Sequence, residues 1–389
     1  MFVIGRGEMN MPNVIDLFAG AGGLSLGAAR AGFNVVGAVE IDPHAIETHR
    51  VNFPNTCHIQ KDIMNISSTE ILNEIGIVQE DVIGVIGGPP CQGFSSIGHG
   101  NVDDARNRLF ERFFELVEEL RPAFFVAENV PGIMNAKYDE IREHAFTHVH
   151  EYTMLQPIKV NASEYGAPTT RTRYFFIGYR NDPRINAILE TDIEEMKVAE
   201  ESITNVRKAL EGLPSNIEYH ENSDGLRCLA DEYLNNENPH RQSNFFYNRV
   251  TAMRPEGLGD QAYVACYEQQ GIVNGCLPTR HTDVVRNRYA ELAYGQRDSV
   301  SKSTRLNPDS FCPTLRSGTG PEKGSYQAVR PIHYEHARVI TPREAARLQG
   351  FPDWYKLPDT IWHSFRQIGN SVSPIAAEQI LRAIYQKLT

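Results

Sequence analysis

An α/β fold with an open parallel sheet is predicted by two observations in the first half of the chain. Short apolar runs alternate with amphipathic helical stretches, and the runs end in residues that do not suit a core. The alternation is the signature of βαβ units. The polar ends fall at the carboxyl ends of the strands, where open α/β sheets bind their ligands. Residues 14–17, 35–39, 82–86, 124–127 and 174–177 are the strand candidates. Four of them lead into chemistry: Asp16, Glu40, Pro89-Pro90-Cys91 and Glu128-Asn129.

Between these strands the strongest helical pattern covers residues 108–120, where Leu109, Phe113, Leu116, Val117 and Leu120 share one face. A domain change is expected near residue 182, where the chain turns acidic, with 5 basic against 14 acidic residues over 181–240 and a helical pattern over 203–213. Residues 241–330 show no sustained period and are rich in Gly, Pro, Ser, Thr and Arg, which reads as loops on a small β scaffold. Regular structure returns with a helix capped by Thr341, with Pro342 at its first position. A loop over 367–373 and a last helix over 374–388 complete the chain.

Composition bounds the class. With 41% hydrophobic and 22% charged residues among 389, the chain is globular, neither disordered nor collagen-like. No apolar run approaches the ~18 residues of a membrane span, and the first thirteen residues lack an export signature. A soluble, intracellular protein with reduced thiols is expected, because the six cysteines form no C-x-x-C pair. The net charge of −11 argues against a polyanion partner, but residues 241–330 carry 12 basic and 8 acidic groups, so a basic face can still exist there. Histidines such as His99, His281, His333, His336 and His363 are dispersed without ligand spacing on a helix, and no metal is assigned.

The candidate site is assembled from the strand ends. Gly20, Gly22 and Gly23 precede a helix, so backbone can approach a ligand and the helix N-terminus can face an anionic group. Twenty positions on, Glu40 is placed to accept hydrogen bonds from ribose hydroxyls, and Asp62 to meet an adenine amino group. Either pattern alone also fits a tight turn or a surface carboxylate. An isolated Cys91 would be an ordinary buried thiol. Two prolines before it and Gly93, Gly98 and Gly100 after it suggest instead a nucleophile on a rigid post beside a closing lid. Glu128, if buried, could act as an acid; Arg171 and Arg173, two apart, would share a strand face.

The ordered blocks DLFAGAGGLSLG, VEID, GGPPCQGFSSIG, AENVPGI, RTRYFFIG, TPREAARLQGFPD and RQIGNSVSP resemble the DNA cytosine-5 methyltransferases of prokaryotic type, over nearly the whole chain. The resemblance implies a Rossmann-like S-adenosylmethionine-dependent methyltransferase domain, residues 1–190 and 356–389, with a smaller target-recognition domain, residues 191–355, across a DNA cleft. S-Adenosyl-L-methionine would contact Phe18, Gly20, Gly22, Gly23, Leu24, Glu40, Ile41, Asp62, Ile63, Pro89, Leu109, Asn370, Ser371 and Val372. Cys91 would attack C6 of a flipped cytosine in double-stranded DNA. Glu128 would meet N3 and the amino group, Arg173 the base carbonyl, and Arg171 would support the site. Ser95, Arg280, Arg286, Arg288, Arg305 and Arg316 are the candidate DNA contacts. The family's prokaryotic form implies a cytoplasmic, nucleoid-associated monomer, with a cognate restriction endonuclease as its partner class. One departure stands out: Thr169 follows Pro168 where the family usually has Gln, which questions one support of the active-site loop.

Three other readings compete. An RNA methyltransferase of the same family shares the apparatus, although the long segment before TPREAARLQGF favours a DNA reader. A non-catalytic binder is disfavoured by intact Cys91, Glu128, Arg171 and Arg173. A nicotinamide-dependent dehydrogenase leaves Pro-Pro-Cys and QIGNSVSP unexplained.

Overall fold

β-Branched and aromatic runs in the first 180 residues build one mixed sheet, in a computed structural model that describes residues 11–90, 107–220, 223–230, 244–317 and 330–389. Its strands are β1 (Asn13–Leu17), β2 (Asn34–Val39), β3 (Cys57–Ile59), β4 (Val82–Gly87), β5 (Phe124–Asn129), β6 (Tyr152–Met154), β7 (Ile158–Asn161) and β8 (Thr172–Arg180). Their order is β3-β2-β1-β4-β5-β8-β6, with β7 also on β8. Pairs from β3 through β5 are parallel, and β8 runs antiparallel to β5, β6 and β7. The chain reverses its direction of travel between β1 and β4, and a crevice opens at their carboxyl ends. The five anticipated strands are present; β3, β6 and β7, at three or four residues, are too short to show a period.

Helices cover both faces. α1 (Gly23–Ala31) and the last helix (Pro374–Tyr385) pack on one side, so closely that a Cβ at Gly27 would sit 2.4 Å from the Ala377 Cβ. α2 (Pro43–Asn52) follows β2 and is capped by Asp42, which accepts from the amides of His44 and Ala45. α3 (Ser68–Ile75), α4 (Asn107–Leu120) and α5 (Asp139–Thr147) follow, the last two on the opposite face over an aromatic core of Phe110, Phe113, Phe114, Phe125 and Phe176.

The second half departs from expectation in two places. In place of a small β scaffold, residues 244–317 hold the helices Gln261–Gln270 and Asp283–Ala290, and the described strand pairing is one two-residue ladder, Arg227–Cys228 with Ile272–Val273, together with isolated bridges such as Arg297 with Thr304 and Arg305 with Ile332. The period was hidden because Gln261–Gln270 buries only Tyr263 and Val264, leaving no apolar stripe. The loop anticipated over 367–373 is largely the end of a helix, Ile361–Asn370. The helix Pro342–Gln349 starts as expected with a Thr341–Glu344 capping box. It is buried along its whole length, and Arg347 donates to the carbonyls of Ala209 and Glu211. Just beyond it the Tyr355 hydroxyl donates to the Ala21 carbonyl, so this block braces the first glycine turn from beneath.

Candidate active site

The glycine turn after β1 is shaped for close approach. Phe18, Gly20 and Gly22 all have positive φ, at 65°, 56° and 83°. For phenylalanine that conformation costs about 1–2 kcal/mol and is held by its surroundings. A Cβ at Gly22 would lie 2.6 Å from Phe53 Cε2, and one at Gly23 2.4 Å from the Val372 carbonyl oxygen. Gly22 therefore faces the core and shapes the turn, while Gly23 lets the C-terminal block sit directly on the start of α1. That start has no side-chain cap.

Around this turn lies a cleft of about 810 Å³. Of the residues expected at the cofactor, Phe18, Gly20, Gly23, Leu24, Glu40, Ile41, Asp62, Ile63, Pro89, Leu109, Asn370, Ser371 and Val372 line it, and Gly22 does not. Glu40 is fixed by backbone donors: Oε2 accepts from Gly20 at 2.9 Å, and Oε1 from Ile41 at 2.9 Å and Asp42 at 2.8 Å. Asp62 caps the following turn by accepting from the Met64 amide. Ile41 lies on the wall with 61% of its surface exposed, an apolar platform on which a flat ring could rest.

Asp16, one of the converging strand ends but given no contact from the sequence, also lines the cleft. Its Oδ2 accepts from Ser25 Oγ at 2.5 Å, and Oδ1 has no partner among the described residues. Behind Ser25 stand His49, 3.0 Å from the hydroxyl, and His58, 2.9 Å from the far nitrogen of His49. Burial pushes the His49 imidazole well below its ordinary range and His58 down to about 4, so both are neutral near pH 7. Burial pushes the Asp16 carboxyl up to about 7, opposed by the Ser25 hydrogen bond and helped by the nearby Glu40 charge. Glu40 is raised as well, again chiefly by burial. Two carboxyls held above their ordinary range in one cleft mark it as a candidate functional site.

This has a measurable cost. A carboxyl raised from 3.8 to about 7 binds its proton more tightly folded than unfolded, so its contribution to stability falls as pH rises from about 4 to 7 and is constant above. The gain in stability from Asp16→Asn in the ligand-free protein should be larger at pH 8 than at pH 4.5, by up to about 3 kcal/mol at 1.36 kcal/mol per pKa unit. Urea midpoints of both proteins at the two pH values test this. A stability difference between variant and wild type that does not grow with pH would remove the assignment.

At the far end of the cleft, Glu128 is the penultimate residue of β5 and Arg173 sits near the start of β8. Arg173 Nε lies 2.7 Å from Glu128 Oε1, and both are largely buried. A Cβ at Gly88 would be 3.4 Å from Glu128 Oε2, which places that oxygen beside the Gly88-Pro89-Pro90 wall. Arg171 stands apart. Its guanidinium donates to the carbonyls of Leu315 at 3.3 Å, Gly369 at 3.0 Å and Asn370 at 3.3 Å. It braces the two segments that close the cleft, which is support in place of contact with a base.

Thr169 is fully buried, and its hydroxyl donates to the Cys312 carbonyl at 3.0 Å, so this position ties β8 to the segment leading to Leu315. Two of the expected DNA contacts have partners within the protein. Arg305 donates to the carbonyls of Ala290, Leu292 and Tyr334, and Arg288 pairs with buried Asp298 at 2.7 Å. Both guanidiniums are engaged in holding residues 283–334 together. Arg280 and Arg286 are exposed, and Arg316 lines the cleft. Cys91, Ser95 and the expected lid lie outside the described residues.

Comparison with known proteins places this geometry. The family described as C-5 cytosine-specific DNA methylase matches residues 12–386. The type II methyltransferase M.XorII of Xanthomonas oryzae pv. oryzae is 36% identical over 386 residues, covering 97% of this chain and 87% of the relative. M.DdeI of Desulfomicrobium norvegicum is 33% identical, covering 96% and 88%. Among solved structures, a prophage-encoded E. coli protein described as a DNA modification methyltransferase superposes with a TM-score of 0.83 at 47% identity, covering 96% of this chain and 99% of that one. The S. pombe Dnmt2 methyltransferase, at 16% identity and a TM-score of 0.60, shares the fold.

Proposed function

The chain belongs to the C-5 cytosine-specific DNA methylases, and from that membership we propose that its cleft holds S-adenosylmethionine beside a cytosine flipped out of duplex DNA. The observation that carries the proposal is one continuous cavity with Asp16 and Glu40 at one end and the Glu128–Arg173 pair at the other. The residues fit the cofactor. Asp16 Oδ1 is buried and has no partner among the described residues, a ready acceptor for an ammonium group. Glu40, immobilised by three amides, would present its remaining lone pairs to ribose hydroxyls, and exposed Ile41 and Asp62 would hold the adenine. When bound, S-adenosylmethionine supplies a methyl group on a sulfonium, which cytosine C5 accepts.

The protein's own part is to make C5 a nucleophile. Cys91 adds to C6 as thiolate, and Glu128 provides the hydrogen bond or proton at N3, so that the ring electrons move to C5. Arg173 holds Glu128 in place at 2.7 Å and meets the base carbonyl. After methylation, loss of the C5 proton to a base and expulsion of Cys91 restore the aromatic ring. Residues 1–190 with 356–389 carry this chemistry, and residues 191–355 read the target sequence through exposed arginines such as Arg280 and Arg286. The enzyme acts as a monomer, alongside a restriction endonuclease of the same specificity.

Labelled methyl transfer to mixed-sequence duplex DNA and, in parallel, to total transfer RNA, followed by nucleoside analysis, tests the reading. 5-Methylcytosine in DNA is expected; label confined to RNA would reassign the substrate. Glu40→Ala should weaken cofactor binding by roughly 1.5–3 kcal/mol, through loss of charged hydrogen bonds. An unchanged dissociation constant in calorimetry would refute the ribose assignment.

A further inference from the structure

On the side of the sheet that carries α4 and α5, His144 and His148 stand one turn apart, at the end and C-cap of α5, and face Glu111 on α4. This is ligand spacing on a helix, which the sequence reading passed over. Glu111 Oε1 lies 2.9 Å from His144 Nδ1 and 3.3 Å from His148 Nε2. The three donor atoms lie within 4.8 Å of one another. Zinc bonds of 2.0–2.2 Å in a tetrahedron place neighbouring donors about 3.4 Å apart. Two of the three edges therefore already have nearly the required length. The imidazole rings are perpendicular, at 88°, with centroids 5.8 Å apart, so each directs its nitrogen to the carboxylate without stacking on the other.

We propose that Glu111, His144 and His148 form a binding site for an imidazole-preferring transition-metal dication, of which Zn²⁺ is the type. Two nitrogens and one carboxylate oxygen suit Zn²⁺, Co²⁺ or Ni²⁺, whereas Mg²⁺ and Ca²⁺ require mostly oxygen donors. The carboxylate is available to an ion. Among the described residues its ion-pair partners are these two histidines, and the neighbouring Arg142 is engaged with Asp139 and the Ile133 carbonyl. The scaffold is rigid, because Phe110 and Phe114 of α4 pack edge-on or tilted against Phe146 of α5 at 6.3 and 5.2 Å. With His144 two-thirds exposed, the ion enters from solvent, and water completes its shell. A bound ion would clip α4, which brings Leu109 to the cleft, to the helix that follows the Glu128 strand.

The test is calorimetric titration of the full-length protein with ZnCl₂ and with MgCl₂, together with the visible spectrum on adding CoCl₂. Wild type should bind one equivalent of Zn²⁺ reversibly to EDTA, show a d–d band with Co²⁺, and be indifferent to Mg²⁺. His144→Ala/His148→Ala should lose that equivalent and the band, and Glu111→Gln should bind Zn²⁺ at least about tenfold more weakly. Retained methyl transfer by the variants would show that they fold. Equal Zn²⁺ stoichiometry and affinity in wild type and double variant, or no binding by wild type, would overturn the proposal.

Discussion

Cys91→Ser is expected to lower methyl transfer by about 10⁴-fold or more while changing the S-adenosylmethionine dissociation constant by less than about twofold. The reasoning is chemical. Addition to C6 requires a strong nucleophile with an accessible ionised form near neutral pH, and a thiol, whose small thiolate fraction is intrinsically very nucleophilic, meets both conditions. A serine hydroxyl is neutral there and needs a general base to attack. The residues that line the cofactor end of the cleft, Asp16, Glu40, Ile41 and Asp62, lie on other strand ends, so removing the thiol should leave that end intact. Single-turnover transfer of labelled methyl to duplex DNA and calorimetric cofactor binding separate the two effects. Retained transfer would remove Cys91 as nucleophile; loss of both activities would mark it as structural.

How much of this site could be read from sequence depends on how local each determinant is. Glu40 and Glu128 follow apolar runs, so the sheet topology alone brings them to one crevice, whereas Asp62 follows β3, which is too short to show in the sequence. Asp16 was visible as a strand end, but not the orphaned oxygen that gives it a role. That property comes from burial and from a hydrogen-bonded series through Ser25, His49 and His58, whose members have no common spacing. Arg288 and Arg305 read as free cations for the converse reason. Their partners, Asp298 and the carbonyls of Ala290, Leu292 and Tyr334, belong to no motif and meet them only through the tertiary fold. The loop expected over 367–373 begins within the helix Ile361–Asn370, which carries a glycine in its last turn. Gly369 is needed there for close approach, since a Cβ would fall 2.4 Å from the Ser317 amide nitrogen.

The second large effect is expected far from the chemistry. Asp353→Ala should destabilise the protein by roughly 3–5 kcal/mol, because it leaves the Arg347 guanidinium charged and fully buried. Asp353 engages that guanidinium through both oxygens, and Nη1 donates to the carbonyls of Ala209 and Glu211, so no described side chain takes over. Replacing both partners, as in Arg347→Met/Asp353→Leu, removes the stranded charge and should recover a substantial part of the loss. Urea midpoints of the three proteins decide between these outcomes; an Asp353→Ala midpoint equal to wild type would show that water reaches Arg347. The damage should also propagate to function. The helix bearing Arg347 carries Gln349, whose amide donates to the Ser371 carbonyl at 2.8 Å, and Ser371 and Val372 form the cleft wall on Gly23. Loosening this helix should therefore weaken cofactor binding in Asp353→Ala, whereas the double replacement should restore binding together with stability.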